Sequence, residues 1–109
     1  MSTQNTLNMT SDLPYSEMSE RYGTDLAKRV VKLHEEVYEL GKVLTDDTLT
    51  EYDYNRMLID ELSDVNAVVA HIAHLIGFTQ EELRKVAADK IRNRFKDKNY
   101  KREHEHYNR

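Results

Sequence analysis

From Asp25 to Leu44 the apolar side chains fall at Leu26, Val30, Leu33, Val37, Leu40 and Leu44. This four-three-four-three-four rhythm puts them on one stripe of an α-helix. Thr24 is placed as its N-cap. The same rhythm returns at Leu58, Leu62, Val65, Val69, Ile72 and Ile76, and Gly77 stands where a helix of that phase ends. Between them the polar segment from Thr45 to Thr50, with Asp46 and Asp47, reads as a connection, and the second helix begins between Thr50 and Asn55. Thr79 opens a third helix, with Glu82 three residues on as in a capping box, and the pattern fades after Phe95. Ahead of these, Tyr15, Met18 and Tyr22 suit a short helix stopped by Gly23. The prediction is an all-α protein: an antiparallel helical hairpin plus a third helix in one domain over 14–95. It is flanked by a polar, aperiodic arm over 1–13 and a tail over 96–109.

Three Gly and one Pro among 109 residues, 33% of them charged, agree with long helices. Absence of cysteine excludes a disulfide framework and a thiolate zinc site. The longest apolar stretch, around Val65 to Ile76, is interrupted by Asn66, His71 and His74, and no signal-peptide layout is present, so a soluble, cytoplasmic protein is expected with no membrane partner. The net charge of −4 conceals an asymmetry. From Arg84 onward there are ten Lys/Arg against four Asp/Glu, which leaves six against sixteen before it. An acidic body of this kind makes nucleic acid an unfavourable partner, although the basic tail suits phosphates. Two wide apolar stripes on a chain of this size would leave much hydrophobic surface bare in a monomer. A homodimer or a dimer of dimers is therefore expected, with a four-helix-bundle core across the interface.

The acidic residues are informative when placed on the helical wheel at about 100° per residue. Glu36 and Glu39 lie about 80° and about 140° to one side of the first stripe, whereas Glu35 falls almost opposite it. Glu61 and Asp64 lie about 60° and about 120° from the second stripe in the same rotational sense. Antiparallel helices facing each other reverse one another's sense, so both pairs reach the same side of the hairpin. With Leu44 ending the first helix and Asn55 starting the second, both pairs lie about 10 Å from the turn; if the second helix begins near Glu51 instead, they differ in level by about 6 Å and tilt or bending must compensate. Four carboxylates so gathered repel one another unless a cation neutralises them. Oxygen-only donors suit Mg²⁺, with Mn²⁺ as a substitute.

The run Leu33-His34-Glu35-Glu36-Val37-Tyr38-Glu39-Leu40, with twenty-one residues between Glu39 and Glu61, leads into Glu61-Leu62-Ser63-Asp64-Val65. The pair resembles the Glu-Glu-x-x-Glu and Glu-x-x-Asp signature of the MazG-like pyrophosphatases. The similarity covers about Asp25 to Phe95, including Gly77-Phe78-Thr79-Gln80-Glu81-Glu82-Leu83 and Lys90-Ile91-Arg92-Asn93-Arg94-Phe95. It implies an all-α hydrolase that converts a nucleoside or deoxynucleoside triphosphate to the monophosphate and pyrophosphate. On this chain Glu36, Glu39, Glu61 and Asp64 would be the metal-binding, catalytic carboxylates. Lys90, Asn93 and Arg94 would be the substrate-binding residues that grip phosphates and ribose. Glu35, though within the signature, is expected to support the site from outside.

No tryptophan is present, and Tyr15, Tyr22 and Tyr38 at helical spacing read as packing residues before base-stacking ones. His71 and His74 are expected as polar positions at a subunit interface. The lack of a Glu-x-x-His pair excludes a ferritin-like di-iron bundle. Two other readings stand beside the hydrolase. One is a non-catalytic helical dimer serving protein interaction; the other is nucleic-acid binding through the tail, where Tyr100, His104, His106 and Tyr107 interleave with basic residues.

Overall fold

The computed structural model describes residues 12–97, and these contain four α-helices and no strand. They are α1 (Tyr15–Tyr22), α2 (Leu26–Leu44), α3 (Glu51–Leu75) and α4 (Gln80–Lys96). The arm up to Ser11 and the tail beyond Asp97 lie outside the described residues. The chain divides after Gly77 into two compact units, the first holding α1 to α3 and the second α4.

Each helix starts and stops for a local reason. Asp25, not Thr24, caps α2: its Oδ1 accepts from the amides of Ala27 at 3.0 Å and Lys28 at 3.3 Å. A carboxylate in that place satisfies two orphan N–H groups and also meets the positive end of the helix dipole, so it displaces the neighbouring hydroxyl. At the other end the Thr45 hydroxyl donates to the carbonyls of Gly41 and Lys42. In the connection, Asp46 accepts from the Thr48 amide at 3.0 Å and from its hydroxyl at 2.6 Å, which tightens the turn and holds the Asp46 carboxyl below its usual range. Thr50 then caps α3 by accepting from the Asp53 amide at 3.2 Å. Gly77, at φ +92°, supplies the left-handed residue just past α3 that other side chains resist.

In the first unit α2 and α3 pack along each other, joined by the six residues Thr45–Thr50, a span that permits only an antiparallel pair. The enclosed core is small: Met18, Val43, Val68, Ala70 and Ala73 are its buried apolar residues. Much of each expected stripe is bare in the single chain. Val37 is 50% exposed and Leu62 47%, and Leu26, Val30, Leu44 and Ile76 are exposed as well. A hairpin has one partner per helix, so it buries only the inner flank of a stripe this wide.

The short α1 lies on α3 through Met18 and through polar groups. Ser19 Oγ and His71 Nε2 share a hydrogen bond of 2.9 Å, and the Tyr15 ring stacks on His74 at 4.3 Å between centroids with the planes 5° apart. His71, fully buried, therefore belongs to a joint inside the chain, which corrects its expected place at a subunit interface, whereas His74 stacks on Tyr15 but stays exposed. Their spacing of three residues turns both toward α1, which the wheel of α3 alone did not reveal.

α4, in the second unit, begins with the expected capping box: Thr79 Oγ1 accepts from the Glu82 amide and Glu82 Oε1 from the Thr79 amide. Leu83, Val86, Ile91 and Phe95 on it are exposed. No single helix among the described residues is long and apolar enough to cross a membrane.

Burial, helped by the nearby Arg29 and His74, holds the fully buried His71 imidazole below its ordinary 6.5. Protonation thus favours the unfolded chain: the His71 contribution is complete above pH 6.5 and is lost as pH falls toward the lowered folded value. Urea midpoints measured between neutral and mildly acidic pH will carry this loss, set against the opposite contribution of Glu61, and H71Q will move the slope toward a gain on acidification. A slope unchanged in H71Q would show that another group controls it.

Candidate metal centre

Glu36 projects from the middle of α2, and Glu61 and Asp64, three residues apart, share a face of α3. One carboxylate oxygen from each comes within 4.8 Å of the others. The Glu36 side chain is 14% exposed, so this end of the cluster is shielded from water. An octahedral Mg²⁺ with bonds of about 2.1 Å separates its ligand oxygens by about 3.0 to about 4.2 Å. The present spread of up to 4.8 Å is only a little wider than that range. The donor set, oxygen only and formally trianionic, fits a hard divalent cation.

The electrostatics agree. Glu61 is pushed above its ordinary value first by burial, then by Asp64, Glu36, Asp60 and Glu39 in that order. Asp64 is raised by burial, by the charges of Glu36 and Asp60 and by a hydrogen bond with Glu36, while Lys32 opposes the rise. The group resists carrying its full charge unless a cation is supplied. Lys32 partly supplies it: its Nζ is 3.3 Å from Glu36 Oε1 and 3.5 Å from Glu35 Oε2, and the contact with Glu36 raises the lysine's own affinity for its proton.

One expected ligand stands differently. Glu39 lies outside the three-carboxylate group, pairs with Lys42 at 3.6 Å, and acts on Glu61 only as the weakest of its repulsive neighbours. The cause is the start of α3 at Glu51. Measured from the turn at 1.5 Å per residue, Glu36 is at about 12 Å, Glu61 at about 15 Å and Asp64 at about 20 Å, whereas Glu39, at about 8 Å, is the outlier, about 12 Å in level from Asp64. Glu35 points outward, 61% exposed, as the wheel requires.

Lys90, Asn93 and Arg94 share one face of α4 in the second unit; Lys90 and Asn93 are exposed and Arg94 is half-buried. Sequence reasoning overlooked Lys32 and Asp60. Lys32 stands four residues before Glu36, and that spacing was a legible signal of the ion pair. Asp60 adjoins Glu61 and adds charge to the cluster.

From Glu36 and Asp64 a cleft of about 440 Å³ runs toward α1. Its walls are Arg29, Lys32 and Glu36 of α2, Asp64, Ala67 and Val68 of α3, and Leu13, Pro14, Met18 and Tyr22 on the α1 side. Compared with protein-family models, curated proteins and solved structures, the chain matches none.

Because the Glu61 pKa is raised, protonation favours the fold; this stabilisation is full below the ordinary 4.5 and is lost as pH rises through the folded value. E61Q keeps the side chain neutral at every pH. In chelator at neutral pH it will melt at a higher temperature than the parent, and added Mg²⁺ or Mn²⁺, which raises the parent's melting temperature, will raise that of E61Q less. A lower melting temperature for E61Q would mark Glu61 as a structural residue.

Proposed function

We propose that the chain is a divalent-metal-dependent nucleoside triphosphate pyrophosphatase. The observation that supports this reading is the convergence of Glu36, Glu61 and Asp64, each drawn from one half of the signature that resembles the MazG-like enzymes. Bound there, Mg²⁺ or Mn²⁺ supplies positive charge for the phosphate oxygens and for the acidification of attacking water.

The chain's own residues do the rest. Glu36, on α2, and Glu61 and Asp64, on α3, hold the cation by donors fixed on two rigid helices. One of these carboxylates, or a water they position, would receive the proton of the attacking water. Lys32, which pairs with Glu36 and lines the cleft, would have its charge available to the substrate's phosphates if a cation took over at Glu36. Glu39, the fourth carboxylate of the signature, lies near enough to Glu61 to act on its charge and would add to the negative field that attracts the cation. On α4, Lys90, Asn93 and Arg94 are the residues to which the resemblance assigns phosphate and ribose binding. Hydrolysis at the phosphorus next to the sugar yields the monophosphate and pyrophosphate.

The exposed apolar stripe supports assembly. Val30, Val37, Leu44 and Leu62 belong to the repeats that define the hairpin's inner faces, yet they are bare in the single chain. A second copy placed against them gives the four-helix core expected of a homodimer.

A panel of the common NTPs and dNTPs, with pyrophosphate and orthophosphate detected separately, tests the reaction. Pyrophosphate will appear only with divalent metal, and D64N will lose turnover by about a hundredfold or more, since even residues supporting a metal ligand contribute about 10–100-fold. No pyrophosphate from any nucleotide would shift the assignment to a non-catalytic interaction module. Light scattering on the eluting protein tests assembly: a mass at least twice the chain's 12.9 kDa is expected, and V37E is expected to lower it. A monomeric parent protein would overturn the dimer.

A further inference from the structure

Arg29 is a cation that has been taken out of water and given no counter-charge. The residue is only 5% exposed, and its Nε is sealed from solvent without a hydrogen-bond partner. Its guanidinium lies 5.0 Å from the centre of the Tyr22 ring, and no ion pair joins it to a carboxylate among the described residues. Its charge is felt nearby, where it helps to keep His71 neutral. An arginine cannot shed its proton to escape this cost, as a buried lysine can. A buried polar group left unpaired generally has a reason, and a charged one all the more.

The cleft supplies the reason. Arg29, Lys32 and Glu36 line it from α2 at spacings of three and four residues, so they form one row about 10 Å long, cationic at one end and carboxylate at the other. The facing wall on α3 passes from Asp64 to Ala67 and Val68. Ala67, on that wall, brings only a methyl group into the cleft. A ligand held at the carboxylates through a divalent cation can thus extend along the row and meet Arg29.

We propose that Arg29 is an anion-binding residue, which takes the phosphate oxygens of a nucleotide at the end of the cleft remote from the carboxylates. The proposal rests on the pyrophosphatase reading for the identity of the nucleotide, but not for the presence of an anion site. A guanidinium presents paired N–H donors that match phosphate oxygens, and its cation–π contact with Tyr22 helps to position it at the cleft wall. Lys32 adds a second charge once a cation has replaced it at Glu36. The substrate is therefore gripped within the first unit, in addition to any contribution from α4.

The test is titration of the full chain with inorganic pyrophosphate, with orthophosphate and with a non-hydrolysable nucleoside triphosphate analogue, in Mg²⁺ and in chelator, at constant ionic strength. Parent protein is compared with R29M and R29K, each checked for helicity by circular dichroism. Pyrophosphate and the analogue will bind the parent, more tightly with Mg²⁺, and R29M will weaken both by about tenfold or more, with R29K between. Folded R29M that binds both as the parent does would overturn the proposal. So would a parent protein that binds orthophosphate but not the analogue, which would mark a free-phosphate site. Should R29M fail to fold, the Arg29 Nε–H resonance of the parent decides: it must shift on addition of pyrophosphate, and an unmoved resonance overturns the assignment. The two readings fail separately. Loss of pyrophosphate binding in R29M, with no pyrophosphate released from any nucleotide by the parent, keeps the anion site and removes the hydrolase; turnover with an unchanged KM in R29M removes the anion site alone.

Discussion

Six residues connect α2 to α3, and their capping bonds hold the two helices antiparallel in a set register. Every feature of the candidate site depends on that register. Carboxylates displaced to the same rotational side of two facing helices converge only when the helices run in opposite directions. They meet at one level only if the turn places Glu36 opposite Glu61 and Asp64. The proximity raises the energy of the ionised cluster, so the same geometry that gathers the donors gives them their demand for positive charge.

The demand is met in graded fashion along α2. Lys32 sits against Glu36 within the helix surface, and Arg29 lies one turn farther, buried against Tyr22. One helix face therefore carries acid at one end and base at the other, with the cleft open along it. Such polarity suits a ligand that is itself anionic and bridged by a cation at one end. In an empty interaction surface it would leave charges facing water or each other.

The helices were legible because periodicity reports directly on which side of a helix faces a neighbour. The capping box at Thr79 and the glycine after α3 were legible because backbone geometry demands those residue types. Rotation was legible too: Glu35 points out and Glu36 in, as about 100° per residue requires. Axial register was not, since it depends on where α3 begins, and a start at Glu51 removes Glu39 from the tight group while keeping the other three. Least legible were Arg29 and His71. A charged or titratable residue is expected at the surface by its type, and only the placement of α1 over α2 and α3 shows why these two are buried.

That placement gives α1 a different thermodynamic character from the hairpin. It is eight residues long, buries one side chain of its own, and holds to α3 by a single hydroxyl–imidazole bond and one ring stack. A helix of that length has little stability of its own and remains folded by its contacts. It follows that α1 constitutes a subglobal opening unit, exchanging its amide hydrogens at a lower free energy than the centres of α2 and α3. Because Met18 and Tyr22 wall the cleft, each such opening exposes Arg29 to water, and a ligand that fills the cleft slows exchange in a helix that contributes no carboxylate to the centre.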